Sequence, residues 1–420
     1  MHYLRILPPL LLVLILALSA GCTAPDELVD EGDQQVSSGG EVPPDIHLSN
    51  VRAFEGGQAY RTGSDLYHVL HLSGSWMEMG RQYGGLVGDE LRLFHDEIVD
   101  DITSRGIDEA DQIREARKSY DGYSPELQEL LGGISQTSGL SMDEVLVLNA
   151  GMMLLTDAIL EGDHPGACSG VGVWDGYTGD GTLVFGRNWD IQRESMQKYM
   201  RYLSVVVYHP EEGYPVANIH PLGNVYLETG MNSEGLFIEL NNGGHSDPVW
   251  YPEREDTSSV LIRVLTESRT VDEAVRMLEN TPADLSYILQ IADPSHAVSL
   301  ERATFDTRVR PSDDDGLVVA VNHFIPDYPP HWEGIVAPPR PASVDPRYDN
   351  LIRMAQSEEY RGHFTPDLMM QLLEIPIEEG GATFGGTVYQ VVAVPETRTI
   401  WLRAIDHADW EEIPLAPLFG

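Results

Sequence analysis

The stretch that decides the fold is CSGVGVWDGYTGDGTLVFGRNWD, residues 168–190. Two short apolar runs in it flank a glycine-rich turn at 179–181. This pattern predicts an antiparallel hairpin, because glycine supplies the backbone conformations that tight turns need. The second strand would run back beside the first and bring Arg187 and Asp190 close to Cys168. A thiol beside a guanidinium and a carboxylate is suited to nucleophile activation.

Cys168 is one of only two cysteines in the 420-residue chain, and the other is Cys22. A lone thiol in an exported protein is a candidate reactive group, provided that Cys22 is not its disulfide partner. Taken alone, however, Cys168 is equally well explained as a small buried apolar residue. Arg187 and Asp190 have a similar alternative, an ordinary surface ion pair on one strand. Composition therefore leaves the role of Cys168 open.

Strand patterns continue after the hairpin, and helical patterns lie between them. The runs that predict strands are 203–208, 235–240, 287–292, 316–321, 388–394 and 399–404. Residues 75–160 instead carry apolar residues at helical spacing, with a capping pattern at 141–144, and are predicted to be mainly helical. Strand groups interleaved with helix groups favour an α+β layered fold. No repeat or linker composition occurs after residue 45, which predicts a single globular domain.

The N-terminus has the pattern of an export signal. Arg5 precedes the apolar run 6–18, which is too short to span a bilayer as a mature helix. Small residues then lead to Cys22, an approach that resembles the bacterial lipobox and predicts a signal peptide at 1–21 with a lipid on Cys22. The alternative is an ordinary signal peptide with an incidental cysteine. Residues 22–45 are polar and acidic and are predicted to be a disordered tether. The expected location is the bacterial cell envelope, at its periplasmic or extracellular face, with the membrane as partner through the lipid.

The charge balance excludes one class of partner. The formal net charge is −41, whereas nucleic-acid binding needs clustered lysine and arginine. We therefore predict no nucleic-acid partner. A dense acidic surface is consistent with a saline habitat, and equally with an acidic extracytoplasmic protein from an arginine-preferring genome.

The sequence also predicts neither a metal nor a cofactor. It contains neither a His-x-x-x-His pattern nor a paired-cysteine spacing. The glycine pairs at 380–381 and 385–386 lack the lysine or dinucleotide-binding context of a phosphate-binding loop. We interpret them as a flexible loop near the substrate.

Several motifs beyond the hairpin carry a family resemblance. They are MGRQYG at 79–84, GMNSEGL at 230–236 followed by LNN at 240–242, VNHF at 321–324, the segment 343–347, and the closing hairpin 387–404. With Cys168 they make the sequence similar to the N-terminal-nucleophile cysteine hydrolases, best to the penicillin acyltransferase branch and more distantly to choloylglycine hydrolases and acid ceramidase. The resemblance implies an αββα four-layer sandwich of two antiparallel sheets between helices, with an N-terminal helical segment. It implies an N-terminal segment at 46–167 and a catalytic segment at 168–420.

The resemblance implies that the chain is cleaved between Ala167 and Cys168, which frees an α-amino group on Cys168. It also implies that Asp190 holds this amine and that Arg187 lies near the sulfur. Ordinary pKa values of about 7.7–8.0 for an α-amine and about 8.5 for a thiol would let the amine accept the thiol proton near neutral pH. One residue would then supply both the nucleophile and the base.

The resemblance also implies groups that stabilise the oxyanion of acyl transfer. Asn241 is the first choice and Asn322 the second, and Asn242 replaces Asn241 if the strand register differs by one residue. Arg347 is implied as a further site residue, at the end of the 343–347 element. A Cys/His dyad with His323 as base is an alternative.

The expected function is an enzyme that cleaves or transfers an N-acyl amide through a Cys168 thioester, with a small-molecule N-acyl substrate. The same chemistry would serve a phospholipase B-like or other ester hydrolase, which is the first alternative. A non-catalytic, lipid-anchored binding protein on the same fold is the second.

Overall fold

The computed structural model describes residues 49–159 and 168–420. The predicted signal peptide 1–21, the lipidation site Cys22, the tether 22–45 and Ala167 lie outside the described residues. The described residues belong to one compact unit.

The described part of the chain contains helices and strands throughout. Its helices are α1 (Trp76–Ser104), α2 (Glu109–Asp121), α3 (Pro125–Thr137), α4 (Met142–Ile159), α5 (Arg193–Met196), α6 (Thr257–Glu267), α7 (Val271–Glu279), α8 (Arg347–Ala355) and α9 (Pro366–Glu374). Its strands are β1 (Ser49–Phe54), β2 (Gly57–Arg61), β3 (His68–Gly74), β4 (Ser169–Asp175), β5 (Gly181–Asp190), β6 (Leu203–Pro210), β7 (Val216–Pro221), β8 (Thr229–Asn232), β9 (Phe237–Asn242), β10 (Tyr287–Ala292), β11 (Ala297–Arg302), β12 (Thr307–Arg310), β13 (Leu317–Ala320), β14 (Thr387–Val394), β15 (Thr399–Ala404) and β16 (Ala408–Pro414).

The strands form two sheets that pack face to face between helices. The larger sheet has the order β1-β2-β3-β6-β7-β8-β9-β10-β11-β12, and the smaller has the order β13-β4-β5-β14-β15-β16. Between them, the rings of Phe185 and Phe237 lie 5.1 Å apart. Helices α1, α6 and α7 pack on the larger sheet, and α8 and α9 pack on the smaller. This αββα arrangement confirms the predicted fold class.

The predicted hairpin is formed by β4 and β5, which pair antiparallel from Ser169↔Asn188 to Asp175↔Gly181. Gly179 and Gly181 have φ of +77° and +88°, a region in which a Cβ is strained. The turn chemistry read from the sequence therefore sets the register of this pair, and the register places the residues near Cys168.

Two features of the larger sheet differ from the prediction. Strands β1 to β3 precede α1 and lie in residues 49–74, for which no strands were predicted. Strand β3 pairs with β6 in parallel, so the larger sheet is not wholly antiparallel. The reason is the long connection, because α1 to α4, the β4–β5 hairpin and α5 lie between these strands in the chain, and a connection of this length allows the second strand to return in the same direction.

The capping pattern at 141–144 starts a new helix, α4, and does not lie inside a longer one. The Ser141 backbone N–H donates to Glu144 Oε2 at 2.6 Å, and the Glu144 N–H donates to Ser141 Oγ at 3.4 Å. Within the described ranges, no single helix is long and apolar enough to cross a membrane. Helices α3 and α4 meet those criteria only when they are taken together, and they are bent by 119°.

Candidate active site

Cys168 directly precedes β4 and is buried beside β5. Gly170 pairs with Arg187 across the hairpin, which directs the guanidinium of Arg187 toward the thiol. Arg187 Nη2 lies 3.8 Å from Cys168 Sγ, and the Asp190 carbonyl oxygen lies 4.0 Å from the same sulfur. The hairpin thus brings together the three residues that the sequence placed there.

Asp190 is fully buried and has one unused oxygen. Its Oδ2 accepts a hydrogen bond from Arg347 Nη1 at 3.2 Å, whereas its Oδ1 has no partner among the described residues. Burial raises the pKa of Asp190 to about 7, although the charge of Arg347 opposes the shift. A buried, unsatisfied acceptor costs free energy, so this oxygen is prepared for a donor.

Arg347 begins α8 and connects several parts of the site. Its Nη1 also donates to the Cys168 carbonyl oxygen at 3.0 Å, across 179 residues of sequence. Its Nη2 lies 3.4 Å from Asn322 Oδ1 and donates to Asp345 Oδ2 at 2.8 Å. The guanidinium therefore holds the backbone of the candidate nucleophile, Asp190 and Asn322 in one cluster.

Glu239 is a site residue that the sequence analysis missed. It is fully buried on β9, where Oε2 accepts from Arg187 Nη1 at 2.9 Å and Oε1 accepts from Asn241 Nδ2 at 2.8 Å. In the orientation that satisfies its neighbours, the Gln290 amide donates to Gly170 O at 3.0 Å and to Glu239 Oε1 at 2.7 Å. The three side chains that bond to this carboxylate are all donors. The sequence of β9 carries no signal for this role, because alternation along a strand does not tell whether a face meets solvent or a second sheet.

Gly170 has no space for a side chain, because the Glu239 network packs directly against it. A Cβ built there would lie 2.1 Å from the Gln290 amide and 2.4 Å from Glu239 Oε1. The glycine two residues after Cys168 therefore allows the two sheets to approach at the site.

The candidate asparagines occupy different positions. Asn241 shares a strand face with Glu239, and its Oδ1 is buried without a partner among the described residues. Asn242, the next residue along the strand, is exposed and lines a cavity. Asn322 Nδ2 donates to the Asn242 carbonyl oxygen at 3.1 Å. The register thus places Asn241, and not Asn242, in the network of Arg187.

A cavity of about 210 Å³ opens at Cys168. Its wall is formed by Ser119, Tyr123, Met152, Met153, Thr156, Cys168, Trp189, Asp190, Ile191, Tyr226, Leu227, Glu228, Leu240, Asn242, Asp256, Thr257, Ser258 and Leu285. Trp189 is part of this wall, whereas Trp174, Phe324 and Tyr328 are not and pack only in the hydrophobic core. Within the described part of the chain, the cavity therefore reaches Cys168.

The thiol is protonated in the uncleaved chain. Burial raises the pKa of Cys168 to about 12; the charge of Arg187 opposes this shift, and those of Asp190 and Glu228 add to it. In the uncleaved chain the thiol therefore has a pKa well above its ordinary value of about 8.5. Burial also lowers the pKa of His323 to about 4, and the structure contains no hydrogen bond from His323 to Cys168.

The geometry can be compared with known proteins. Residues 177–408 match the family model of acyl-coenzyme A:6-aminopenicillanic acid acyl-transferase, which is more than half of the chain. The chain belongs to this family. The match confirms the family that the motifs predicted. The acyl-transferase region includes Arg187, Asp190, Asn241, Asn322 and Arg347, and it begins after Cys168.

Individual relatives of this acyl-transferase family member are distant. An uncharacterized protein of Archaeoglobus fulgidus is 23% identical over 308 residues, which are 61% of this chain and 50% of that protein, so the chain spans about half of the relative's length. Among solved structures, an N-acylethanolamine-hydrolyzing acid amidase ortholog of Caenorhabditis elegans is 16% identical, with a TM-score of 0.41 over 59% of this chain and 100% of that one. Penicillin V acylase from Agrobacterium tumefaciens is 14% identical, with a TM-score of 0.32 over 59% of this chain and 86% of that one.

Proposed function

We propose that this protein is an autoprocessing N-acyl amide hydrolase or acyltransferase that acts through a Cys168 thioester. The observation that carries the proposal is the position of Cys168. Its thiol lines a cavity next to Arg187, its carbonyl oxygen is held by Arg347, and Asp190 beside it has an unused buried oxygen. A nucleophile, an acceptor for its amine and room for a substrate therefore coincide.

In the proposed maturation, Cys168 Sγ attacks the carbonyl carbon of Ala167. The peptide C–N bond breaks, a thioester forms, and the Cys168 nitrogen gains a proton to become an amine. Water then hydrolyses the thioester, which releases the Ala167 carboxylate and restores the thiol. Asp190 Oδ1 supports this step because a new ammonium group would satisfy its unpaired acceptor.

In the proposed reaction, the α-amine takes the thiol proton and the thiolate attacks the substrate carbonyl. The second N–H of the Asn241 amide would donate to the oxyanion, since the first donates to Glu239. The α-ammonium then protonates the leaving amine, and water or a second amine resolves the thioester. An ammonium group beside the sulfur would also lower the thiol pKa, which supports a requirement for cleavage before activity.

The test compares the parent with Cys168→Ala and Cys22→Ala. We expect the parent to yield a fragment that starts Cys-Ser-Gly-Val, by N-terminal sequencing and intact mass, and to hydrolyse simple N-acyl anilides. Cys168→Ala should remain one chain and be inactive, whereas Cys22→Ala removes the other thiol and should still be cleaved. An uncleaved Cys168→Ala protein with full activity would contradict the proposal. Faster turnover of matched esters than of amides would favour an ester hydrolase.

We also propose that the protein is exported and anchored to the cell envelope by a lipid on Cys22. The sequence before Cys22 supports this location. Mass spectrometry of the N-terminal peptide from the membrane fraction tests it. A peptide starting at a diacylated Cys22 is expected, and an unmodified peptide from another start would contradict it.

A further inference from the structure

The cavity at Cys168 has a one-sided charge distribution. Asp190, Glu228 and Asp256 all line it, while its described lining residues include no lysine, arginine or histidine. Most of the remaining wall is apolar, with side chains such as Met152 and Leu240. Away from Cys168, such a wall disfavours an anionic ligand, because an anion would lose its hydration and face the carboxylates of Glu228 and Asp256.

Glu228 presents an ionised oxygen to this cavity. Its Oε2 accepts from Trp189 Nε1 at 2.6 Å and from His220 Nε2 at 3.2 Å, and among the described residues nothing donates to its Oε1. Burial alone would raise the pKa of Glu228, but the bond and charge of His220, together with Arg187 and Trp189, hold it below its usual value. The carboxylate is therefore charged at neutral pH and has one oxygen available.

Asp256 is a second carboxylate on the same wall. It caps the N-terminus of α6 and accepts from the Ser258 N–H at 2.8 Å. Burial and the neighbouring charge of Asp284 raise the pKa of Asp256 to about 7. A cation in the cavity would favour its ionised form.

We propose that the part of the substrate that fills this cavity carries a protonated amine, which pairs with Glu228 and is assisted by Asp256. This inference rests on the proposed function, because it assigns the substrate class of the same site. The ammonium group can lie on the acyl chain or on the leaving amine. A charge-assisted bond in a desolvated cavity gives selectivity of about 10- to 100-fold.

The experiment measures kcat/KM of the cleaved, full-length enzyme on matched amides. The acyl arm compares the anilides of 6-aminohexanoate, hexanoate and adipate, which differ in terminal charge. The amine arm compares hexanamides of 1,5-diaminopentane and of pentylamine. We expect one ammonium-bearing substrate to exceed its neutral partner about 10- to 100-fold, and the adipoyl anilide to be poorest.

Three variants identify the carboxylate responsible. Glu228→Gln should reduce the ammonium-to-neutral ratio toward one, and Glu228→Lys should favour the adipoyl substrate. Glu109→Gln removes the same charge from an exposed helix position and should leave the ratio unchanged. A parent enzyme without preference for either ammonium-bearing substrate, or a ratio that Glu228→Gln leaves intact, overturns the inference.

Failure of the proposed function gives a different result, namely no cleavage and no turnover of any amide. In that case calorimetric binding to Cys168→Ala protein still decides the inference. We expect 6-aminohexanamide to bind about tenfold or more tightly than hexanamide, and Glu228→Gln to remove the difference. Equal binding of the two amides overturns it.

Discussion

Replacing Glu239 with glutamine should separate the positions of Arg187 and Asn241. Glu239 Oε2 accepts from Arg187 at 2.9 Å, and Oε1 accepts from Asn241 at 2.8 Å and from Gln290 at 2.7 Å. A glutamine amide keeps one acceptor but places an N–H₂ group where the second oxygen was. If the remaining oxygen of the glutamine faces Arg187, its N–H₂ group faces the N–H₂ groups of Asn241 and Gln290 in a fully buried site.

The magnitude follows from the number of donors that lose their partner. A buried donor without an acceptor costs about 1–3 kcal/mol, so Asn241 and Gln290 together cost about 2–6 kcal/mol of unfolding free energy. The opposite orientation directs the new N–H₂ group at the Arg187 guanidinium, which is no more favourable. An Asn241 displaced from its position would also lower kcat by about 10²- to 10³-fold, the usual effect of losing one oxyanion donor.

Unfolding in urea is measured for Glu239→Gln in a Cys168→Ala background, so that every chain compared is uncleaved. Activity is measured with the Cys168 thiol intact. Asp293→Asn is the matched control. Asp293 lies in the β10–β11 turn and is a buried carboxylate that accepts from two backbone N–H groups, those of Val271 and Ser295. The control should lose stability but keep its kinetics. A Glu239→Gln protein within about 1 kcal/mol and threefold in kcat of its parent would refute the reasoning.

Three further outcomes follow from the same contacts. Gly170→Ala should prevent folding or maturation because its Cβ would overlap the network behind it, whereas Gly385→Ala, with nothing within 4 Å, should leave soluble yield and cleavage unchanged. Arg347→Lys should slow cleavage of the chain by about tenfold or more in a gel-based time course. One ammonium group cannot replace the bonds that the two guanidinium nitrogens make to the Cys168 carbonyl oxygen and to Asn322. An unchanged cleavage rate would contradict a role of Arg347 in holding Cys168. In the folded protein the pKa of Asp190 is raised from 3.8 to about 7. In Cys168→Ala protein, the contribution of Asp190 to the free energy of unfolding is therefore fully present below about pH 4 and is lost as the pH rises to about 7. Over that range Asp190→Asn should gain stability relative to its parent, by at most about 4 kcal/mol, and unfolding free energies of the two proteins that change in parallel with pH would contradict this.

Local pattern was enough to predict the centre of the site. Alternating apolar residues and turn glycines set the register of β4 and β5, and that register alone places Arg187 opposite Gly170 and near Cys168. The strands at 287–292 and 399–404 were also predicted with the observed bounds, because local apolar pattern is enough to mark them. The strands β1 to β3 were missed because their polar residues give weak alternation, and their place in the sheet depends on a long crossover.

Other parts of the site required the tertiary structure. Asn322 and Arg347 entered the prediction only through family resemblance. The contacts of Arg347 with Asn322 and with the Cys168 carbonyl oxygen depend on how α8 packs against the smaller sheet. Glu228 and Glu239 were not predicted at all. A glutamate in a strand has no sequence signal that tells whether its face meets solvent or another sheet.

The sequence by itself determined the family and the hairpin that places Arg187 and Asp190 beside the candidate nucleophile Cys168, because hydrogen-bond register and turn chemistry act over about twenty residues. Only the tertiary structure decided which carboxylates face the thiol, which asparagine joins Arg187 and what lines the cavity. These depend on the stacking of two sheets. Stacking is driven by non-directional apolar burial, so side-chain periodicity states which face is buried but not what it is buried against.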